Sequence, residues 1–295
     1  MDRHHSIHTP KCRLDNWKLA QIRAMQFIKS IMQKYDIKYN IDAGDVNDFS
    51  RSYYSTEYIN FMYDYCNKIH TIPGNHCLLD NAIENFDNSI ISNLTRMGVL
   101  DIIPEEGWEL NNTILYGYGY GCIPKHTKPL KTIQILIWHK YIKDIKSDLI
   151  PGYYWEDLLD EYPEYNIFIT GDNHKHFIKR KGEQLLINGG SLFRLTADQI
   201  DYKPCIHILD TENYMKENGV ISVSMPIKKD VISREHIDTK NNKIVSMEIY
   251  NKSLQEASHS SVNYTNNIQE FILLQEDIHR DMETLIMSFM PQGDK

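Results

Sequence analysis

In "RLDNWKLAQIRAMQFIKSIMQKY" apolar residues recur at helical spacing, with Trp17, Ile22, Met25, Ile28 and Met32 near one face. The spacing predicts a long amphipathic helix. "RSYYSTEYINFMYDYCNK" reads as a second helix and "GYYWEDLLDEY" as a short third one. Between and after them lie runs of strand length: "IKYNIDAGD", "IHTIPGNH", "NTILYGYGYG", "KTIQILIWH", "YNIFITGDNH", "EQLLINGGS" and "KPCIHILD". "KTIQILIWH" has the near-continuous apolar pattern of a strand covered on both faces. Helices and strands alternate first and strands then cluster, which predicts an α/β core with a mixed sheet system. The texture turns polar near Asp230. Residues 1–229 are therefore expected to form the core domain. Residues 230–295 are expected to form an appendage, with helical character from Asn266 to Met290.

Four of the predicted strands run into the same kind of residue. One ends on Gly44-Asp45, one on Gly74-Asn75-His76, one on His139, and one on Gly171-Asp172-Asn173-His174. In an α/β sheet, ligands gather at the carboxyl ends of strands, so residues far apart in sequence can converge there. Each feature alone has an ordinary explanation. Gly-Asp and Gly-Asn are common turns, and a histidine on an apolar strand is commonly a satisfied core residue. The repetition of order and strand context is what points to a shared site. Asp, Asn and His offer oxygen and imidazole donors, a set suited to Mn²⁺, Fe or Zn²⁺. Asp2 and His4 extend the same list.

Bulk properties narrow the classes. The 295 residues suit one sizeable domain with a smaller appendage. No apolar run reaches the roughly 20 residues needed to span a membrane, and no secretory leader is visible, so a cytosolic protein without membrane attachment is expected. Five cysteines, an odd number without a CxxC pair, argue against a disulfide framework and for buried free thiols. The net charge of −8 argues against a surface that coats duplex DNA non-specifically. It leaves two local basic strips. One holds Lys125, His126, Lys128 and Lys131; the other holds Lys175, Lys179, Arg180 and Lys181.

Taken in order, Asp2-x-His4, Gly44-Asp45-x-x-Asp48, Gly74-Asn75-His76, His139 and Gly171-Asp172-x-His174 resemble the five motifs of the calcineurin-like metallophosphoesterases. The resemblance spans roughly residues 2–210. "INGGSLFR" is similar to the segment after the last motif in the nuclease branch, which includes the nuclease subunit of the SbcCD complex and phage recombination endonuclease subunits. The resemblance implies a four-layer α/β/β/α sandwich with a small C-terminal helical appendage, and two divalent metal ions, Mn²⁺ first and Mg²⁺, Fe or Zn²⁺ otherwise. It implies that Asp45 bridges both ions. Asp2, His4 and His174 would complete one, and Asn75, His139 and Asp172 the other. His76 would be the general acid, and Asp48 would orient a neighbour or cap the helix that starts near Arg51. Lys175, Arg180 and Arg194 would line a substrate groove.

Two departures bear on the site. Most members carry Gly-His-x-His in the final motif, and this chain carries Gly-Asp-x-His, which adds oxygen character and implies Mn²⁺ or Mg²⁺ over Zn²⁺. His176 is an alternative ligand there, read more simply as the next residue of an outgoing strand. Members also carry an apolar strand before Asp-x-His, and none precedes it here. Asp2 and His4 are therefore expected to sit on an end that has lost its support.

The function this implies is phosphodiester hydrolysis by a two-metal-activated hydroxide in a DNA repair or recombination nuclease subunit. DNA would be the substrate, and an ATPase partner would dock through the C-terminal region. The alternatives are a phosphatase or phosphodiesterase acting on small or protein phosphoesters, and a non-catalytic scaffold with a degenerate metal site.

Overall fold

The computed structural model describes residues 2–48, 56–66, 68–147, 151–228, 231–235 and 237. The chain divides into two compact units, Met1–Ser233 and Arg234–Lys295. Most of the second unit lies outside the described residues, and so does the helix expected from Asn266 to Met290.

The long amphipathic pattern forms α1 (Trp17–Lys34). It begins where the Asn16 side chain accepts from Leu19 N, satisfying one of the first-turn amides. Its inward face carries Trp17, Ala24, Met25, Ile28 and Ile31, with Gln21 also buried. Two further helices share its layer, α2 (Thr56–Tyr65) and α3 (Ile90–Arg96). The short helix α4 (Trp155–Glu161) lies elsewhere in the stack.

Strands β1 (Ile69–Thr71) and β2 (Leu100–Ile102) pair in parallel. The main sheet contains β3 (Trp108–Leu110), β4 (Thr113–Tyr118), β5 (Ile133–Trp138), β8 (Ile167–Thr170), β9 (Phe177–Lys181) and β10 (Gln184–Asn188). Its order is β3-β4-β5-β8-β10-β9, parallel through β4, β5, β8 and β10 and antiparallel at both edges. Two residues each make up β6 (Ile142–Lys143) and β7 (Tyr153–Tyr154), a short parallel pair. A final hairpin joins β11 (Cys205–Leu209) to β12 (Val220–Ser224).

Side-chain alternation sorts these elements into layers. Leu115, Ile135, Ile137, Ile167, Leu185 and Ile187 point from one face of the main sheet into a cluster with Ile72 and Ile103, and Leu209 and Val220 of the hairpin pack against it. Tyr116, Leu136, Trp138, Phe168 and Leu186 point from the opposite face onto Leu158 and Leu159 of α4. Ile69, Leu100 and Ile206 point away from the inter-sheet cluster onto α1, α2 and α3. The sequence of layers is helices, strands, strands, helix, as the two-sided burial of β5 requires.

The structure corrects two expectations. "IKYNIDAGD" contributes a single parallel bridge, Ile41 to His70, in place of a full strand. Its polar residues Asn40 and Asp42 instead receive Arg3: Nη2 donates to Asn40 Oδ1 at 2.6 Å and Nε to Asp42 Oδ2 at 2.8 Å. The second correction concerns the N-terminal segment, which is buried and held from both sides. Asp2 N donates to Gly190 O at 2.9 Å, and Leu192 N donates to Asp2 O at 2.8 Å. His4 N donates to Asp45 O at 2.8 Å and His5 N to Val46 O at 2.9 Å. Lateral backbone pairing thus supplies the support that was expected from a preceding strand.

The four cysteines Cys12, Cys66, Cys77 and Cys205 are buried free thiols, and Cys122 is half-buried. Among the described residues, no helix is long and apolar enough to cross a membrane.

Arg3 and Asp42 are both fully buried, at 1% and 0% exposure. Removing one partner of such a pair leaves an uncompensated charge in the interior, a loss of about 3–5 kcal/mol. Arg3→Met is expected to lower the unfolding free energy by about that amount in urea titration, and Arg3→Met/Asp42→Asn to recover part of it.

Candidate metal centre

Register places four strand exits level with one another. Tyr118 pairs with Trp138, Trp138 with Thr170, and Thr170 with Asn188. The residues that follow these ends are His139, Gly171 to His174, and Gly189 to Ser191. The bridge from Ile41 to His70 brings the Asp45 loop and the Asn75 loop to the same edge. The predicted residues from all four motif-bearing strands, and from the N-terminal segment, therefore meet at one place.

Two donor groups lie close together, and the Asp45 carboxylate belongs to the first. In the first, His139 Nδ1 donates to Ala43 O at 2.7 Å, which leaves Nε2 to face Asn75 Oδ1 at 2.9 Å and Asp45 Oδ2 at 3.3 Å. In the second, ligand atoms of Asp2, His4 and His174 lie within 4.8 Å of one another. His4 Nε2 and His174 Nε2 face each other at 3.1 Å. Asp2 Oδ2 accepts from Asp172 N at 2.9 Å, while Asp2 Oδ1 is buried without a hydrogen-bond partner. One shared proton can satisfy one of these contacts and no more. A cation satisfies the ring lone pairs and the orphaned carboxylate oxygen together, so the donor set fits a divalent ion.

The electrostatics agree. Burial pushes Asp2 up to about 7. Burial also opposes ionisation of Asp45, but the charge and hydrogen bond of His139 outweigh it and hold Asp45 well below the usual carboxylate range. For His139, burial disfavours the charged ring, and the Asp45 carboxylate overrides it and raises the group to about 10. Burial lowers His174 to about 4, so its ring is neutral and able to ligate. In the protein alone, the proton on His139 supplies the positive charge that Asp45 demands.

Tight loop geometry holds these groups. A β-carbon on Gly171 would lie 2.5 Å from Asp2 Oδ1 and 2.6 Å from Ala43 O. A β-carbon on Gly74 would overlap Asp45 Oδ1 and the Asp45 amide. His4, Asp45 and Asp172 all take positive φ, at 48°, 51° and 72°. Such conformations are uncommon for residues with a side chain and concentrate at functional sites.

The remaining predicted residues divide. His76 is exposed at the mouth, and its backbone N donates to Asp45 Oδ1 at 2.9 Å. Asp48 Oδ1 lies 3.3 Å from His4 Nδ1 and 3.7 Å from His76 Nδ1, between the two rings. Arg51, where a helix cap was an alternative role for Asp48, falls outside the described residues. Asp172 enters through its main-chain amide, and its carboxylate belongs to none of the three-donor groups among the described residues. Lys175 is exposed beside the site. Arg180 donates to Tyr214 O at 2.6 Å. Arg194 is buried and donates to Ile200 O at 2.8 Å and Lys228 O at 2.7 Å, so it ties loops together and does not face a groove.

Sequence reasoning missed two supporting residues. Asn188 Nδ2 donates to Asn173 O and to Lys175 O, both at 2.7 Å, and Asn173 Nδ2 donates to Ile142 O at 2.7 Å. Together they fix the loop that carries His174. Their only sequence signal is an amide residue at the end of an apolar strand, which any turn can also show.

Scans against protein-family profiles and against curated proteins find no match. Among solved structures, the chain is similar to an archaeal phosphodiesterase, at 14% identity over 70% of this chain and 95% of that one, with a TM-score of 0.39. It is similar to a Staphylococcus aureus protein assigned as a 5′-nucleotidase, at 14% identity over 78% and 53%, with a TM-score of 0.41. It is also similar to Vps29 of Entamoeba histolytica, at 16% identity over 64% and 98%, with a TM-score of 0.28. At these identities and TM-scores none of them defines the chemistry of this chain.

Gly74 has φ −94°, which alanine adopts without strain, so a methyl group there acts only through its overlap with Asp45. Gly74→Ala is expected to weaken Mn²⁺ binding about 10-fold or more in calorimetric titration. The far-ultraviolet circular dichroism should be unchanged.

Proposed function

We propose that this chain is a metal-dependent phosphoesterase that cleaves phosphodiester bonds. The observation that carries this reading is the pair of neighbouring donor groups, with Asp45 in one and the orphaned Asp2 Oδ1 in the other. Asp2, His4 and His174 would hold one divalent ion, Asn75 and His139 a second, and Asp45 would serve both. Ions held there would supply a water acidified toward neutral pH and positive charge to offset the phosphate oxygens.

The chain's own groups do the rest. The Ala43 carbonyl holds the His139 ring by accepting from Nδ1, so that Nε2 is the nitrogen that would give up its proton and ligate when a cation binds. His76 stands at the open side of the site and donates a proton to the departing alkoxide. The Asp48 carboxylate lies 3.7 Å from His76 Nδ1 and helps orient that ring.

For substrate, the surface favours a small phosphodiester over duplex DNA. Two lysines of the basic strips already have acidic partners: Lys125 pairs with Glu105 at 2.9 Å and Lys181 with Asp160 at 2.5 Å. Arg180 and Arg194 bind backbone carbonyls. These contacts reduce the positive charge that the two strips hold free for a phosphate backbone. The expected ATPase-docking helix lies outside the described residues.

The test is Mn²⁺-dependent hydrolysis of bis-p-nitrophenyl phosphate, run beside single- and double-stranded DNA. Activity should vanish with a chelator and with Asp45→Asn, and His76→Ala should lower it about 100-fold or more on a dinucleotide, whose leaving group is an alkoxide, and much less on the nitrophenyl ester. Turnover that survives Asp45→Asn would sink the reading. Faster cleavage of DNA than of the small diester would restore the nuclease.

A further inference from the structure

A second cluster of ligand-type side chains lies outside the donor groups at Asp45. It is formed by His176, Cys205 and His207, whose ligand atoms all lie within 4.8 Å of one another. Cys205 and His207 are two residues apart on β11, so their side chains leave the same face of that strand. His176 is the residue immediately before β9. β9 borders the main sheet, whereas β11 belongs to the hairpin that packs against the inter-sheet core. The three donors therefore come from two different sheets.

Their orientation is already set. Cys205 Sγ lies 3.5 Å from His207 Nε2. The other ring nitrogen, Nδ1, lies 2.9 Å from Ser222 Oγ, on the β12 residue that pairs with His207 in register. When Nδ1 donates to that hydroxyl, the Nε2 lone pair is aimed at the thiol, the arrangement in which a histidine ligand is held by an outer hydrogen bond. The Tyr202 ring packs against His176 at 5.8 Å between centroids, and its hydroxyl is anchored on Ser191 O at 3.0 Å. Tetrahedral zinc with nitrogen and sulfur ligands sets its donor atoms about 3.3–3.6 Å apart. The spacing of Cys205 and His207 already falls in that range, and a His176 ligand atom lies within 4.8 Å of both.

We propose that His176, Cys205 and His207 form a separate metal site for a borderline-soft divalent ion, Zn²⁺ in the first instance, that ties β11 to the start of β9. The thiolate distinguishes it from the oxygen-rich centre at Asp45 and selects Zn²⁺ over Mn²⁺ or Mg²⁺. Burial raises the Cys205 thiol to about 11 and lowers His207 to about 4. Without metal at neutral pH, the thiol therefore keeps its proton and the ring is neutral. Binding then breaks the S–H bond, forms a metal–sulfur bond and releases one proton to solvent per ion. Three protein donors leave a fourth position for water. The site does not depend on the phosphoesterase reading.

Cobalt substitution of the full chain tests it, because a thiolate bound to Co²⁺ gives a charge-transfer absorption that nitrogen and oxygen ligands do not. The expected result is a band that saturates with Co²⁺ and disappears on adding Zn²⁺, with the wild-type chain releasing one proton more than Cys205→Ser in the same titration in weak buffer. Cys205→Ser should abolish the band. His207→Gln, the control should the serine variant fail to fold, should weaken Co²⁺ binding about 10-fold or more. Asp45→Asn should leave the band intact, which separates this site from the centre at Asp45. A wild-type chain that shows no band in excess Co²⁺ would overturn the proposal. So would a band unchanged in Cys205→Ser or in a folded His207→Gln.

Discussion

Two carboxylates, Asp2 and Asp45, are buried side by side at the strand ends, and much of the surrounding structure serves to keep them there. An ionised carboxylate without a counter-charge is among the most expensive groups to bury. Asp45 meets that cost through His139, which lies 3.3 Å away, and through the amide of His76. Asp2 has the Asp172 amide on one oxygen and nothing on the other. That asymmetry marks the place where positive charge is missing. The glycines at positions 74 and 171 belong to the same problem, because each removes a side chain that would push a carboxylate out of line.

The segment carrying Asp2 and His4 shows how a short piece of backbone is held without forming a strand. It makes one parallel bridge to Ser191 and another to Asn47, so it ties the loop after β10 to the loop after Ile41. Arg3 adds a buried anchor between them. Its guanidinium reaches Asp42 and Asn40 while the side chains of Asp2 and His4 turn toward the centre. Asp42 in turn accepts from Gly44 N at 3.0 Å, which helps shape the loop that presents Asp45. Stability and site geometry therefore pass through the same ion pair.

Layering explains why the centre is accessible at all. The main sheet is closed on one face by α4 and on the other by the second set of strands, so its middle is sealed. Only the loops at the strand ends remain free to carry polar groups. Parallel strands bring those ends level, and the ladder continues one step past β5 through His139 N to Tyr118 O at 3.0 Å. The cluster at His176 arises from the same layering at the border of the two strand layers, where the main sheet ends in β9 and the hairpin begins with β11.

The sequence alone was enough for most element types, though not for "IKYNIDAGD", and for the two-sided burial of β5, the inward face of α1, and the idea that Asp45, Asn75, His139 and His174 converge. These follow from periodicity and from the repeated strand-then-polar pattern, both of which are local. Everything decided by contact across the chain was hidden. Nothing in residue order joins Arg3 to Asp42, 39 residues away. Arg194 reads as a substrate ligand until its carbonyl partners appear. Asp172 reads as a carboxylate donor, yet its backbone turns through a positive φ and offers the amide instead. The end bearing Asp2 reads as unsupported because lateral hydrogen bonds leave no trace in residue order. Pattern determines which residues can be buried and which can bind. Which of them have their valences already filled by distant neighbours is decided only by the fold.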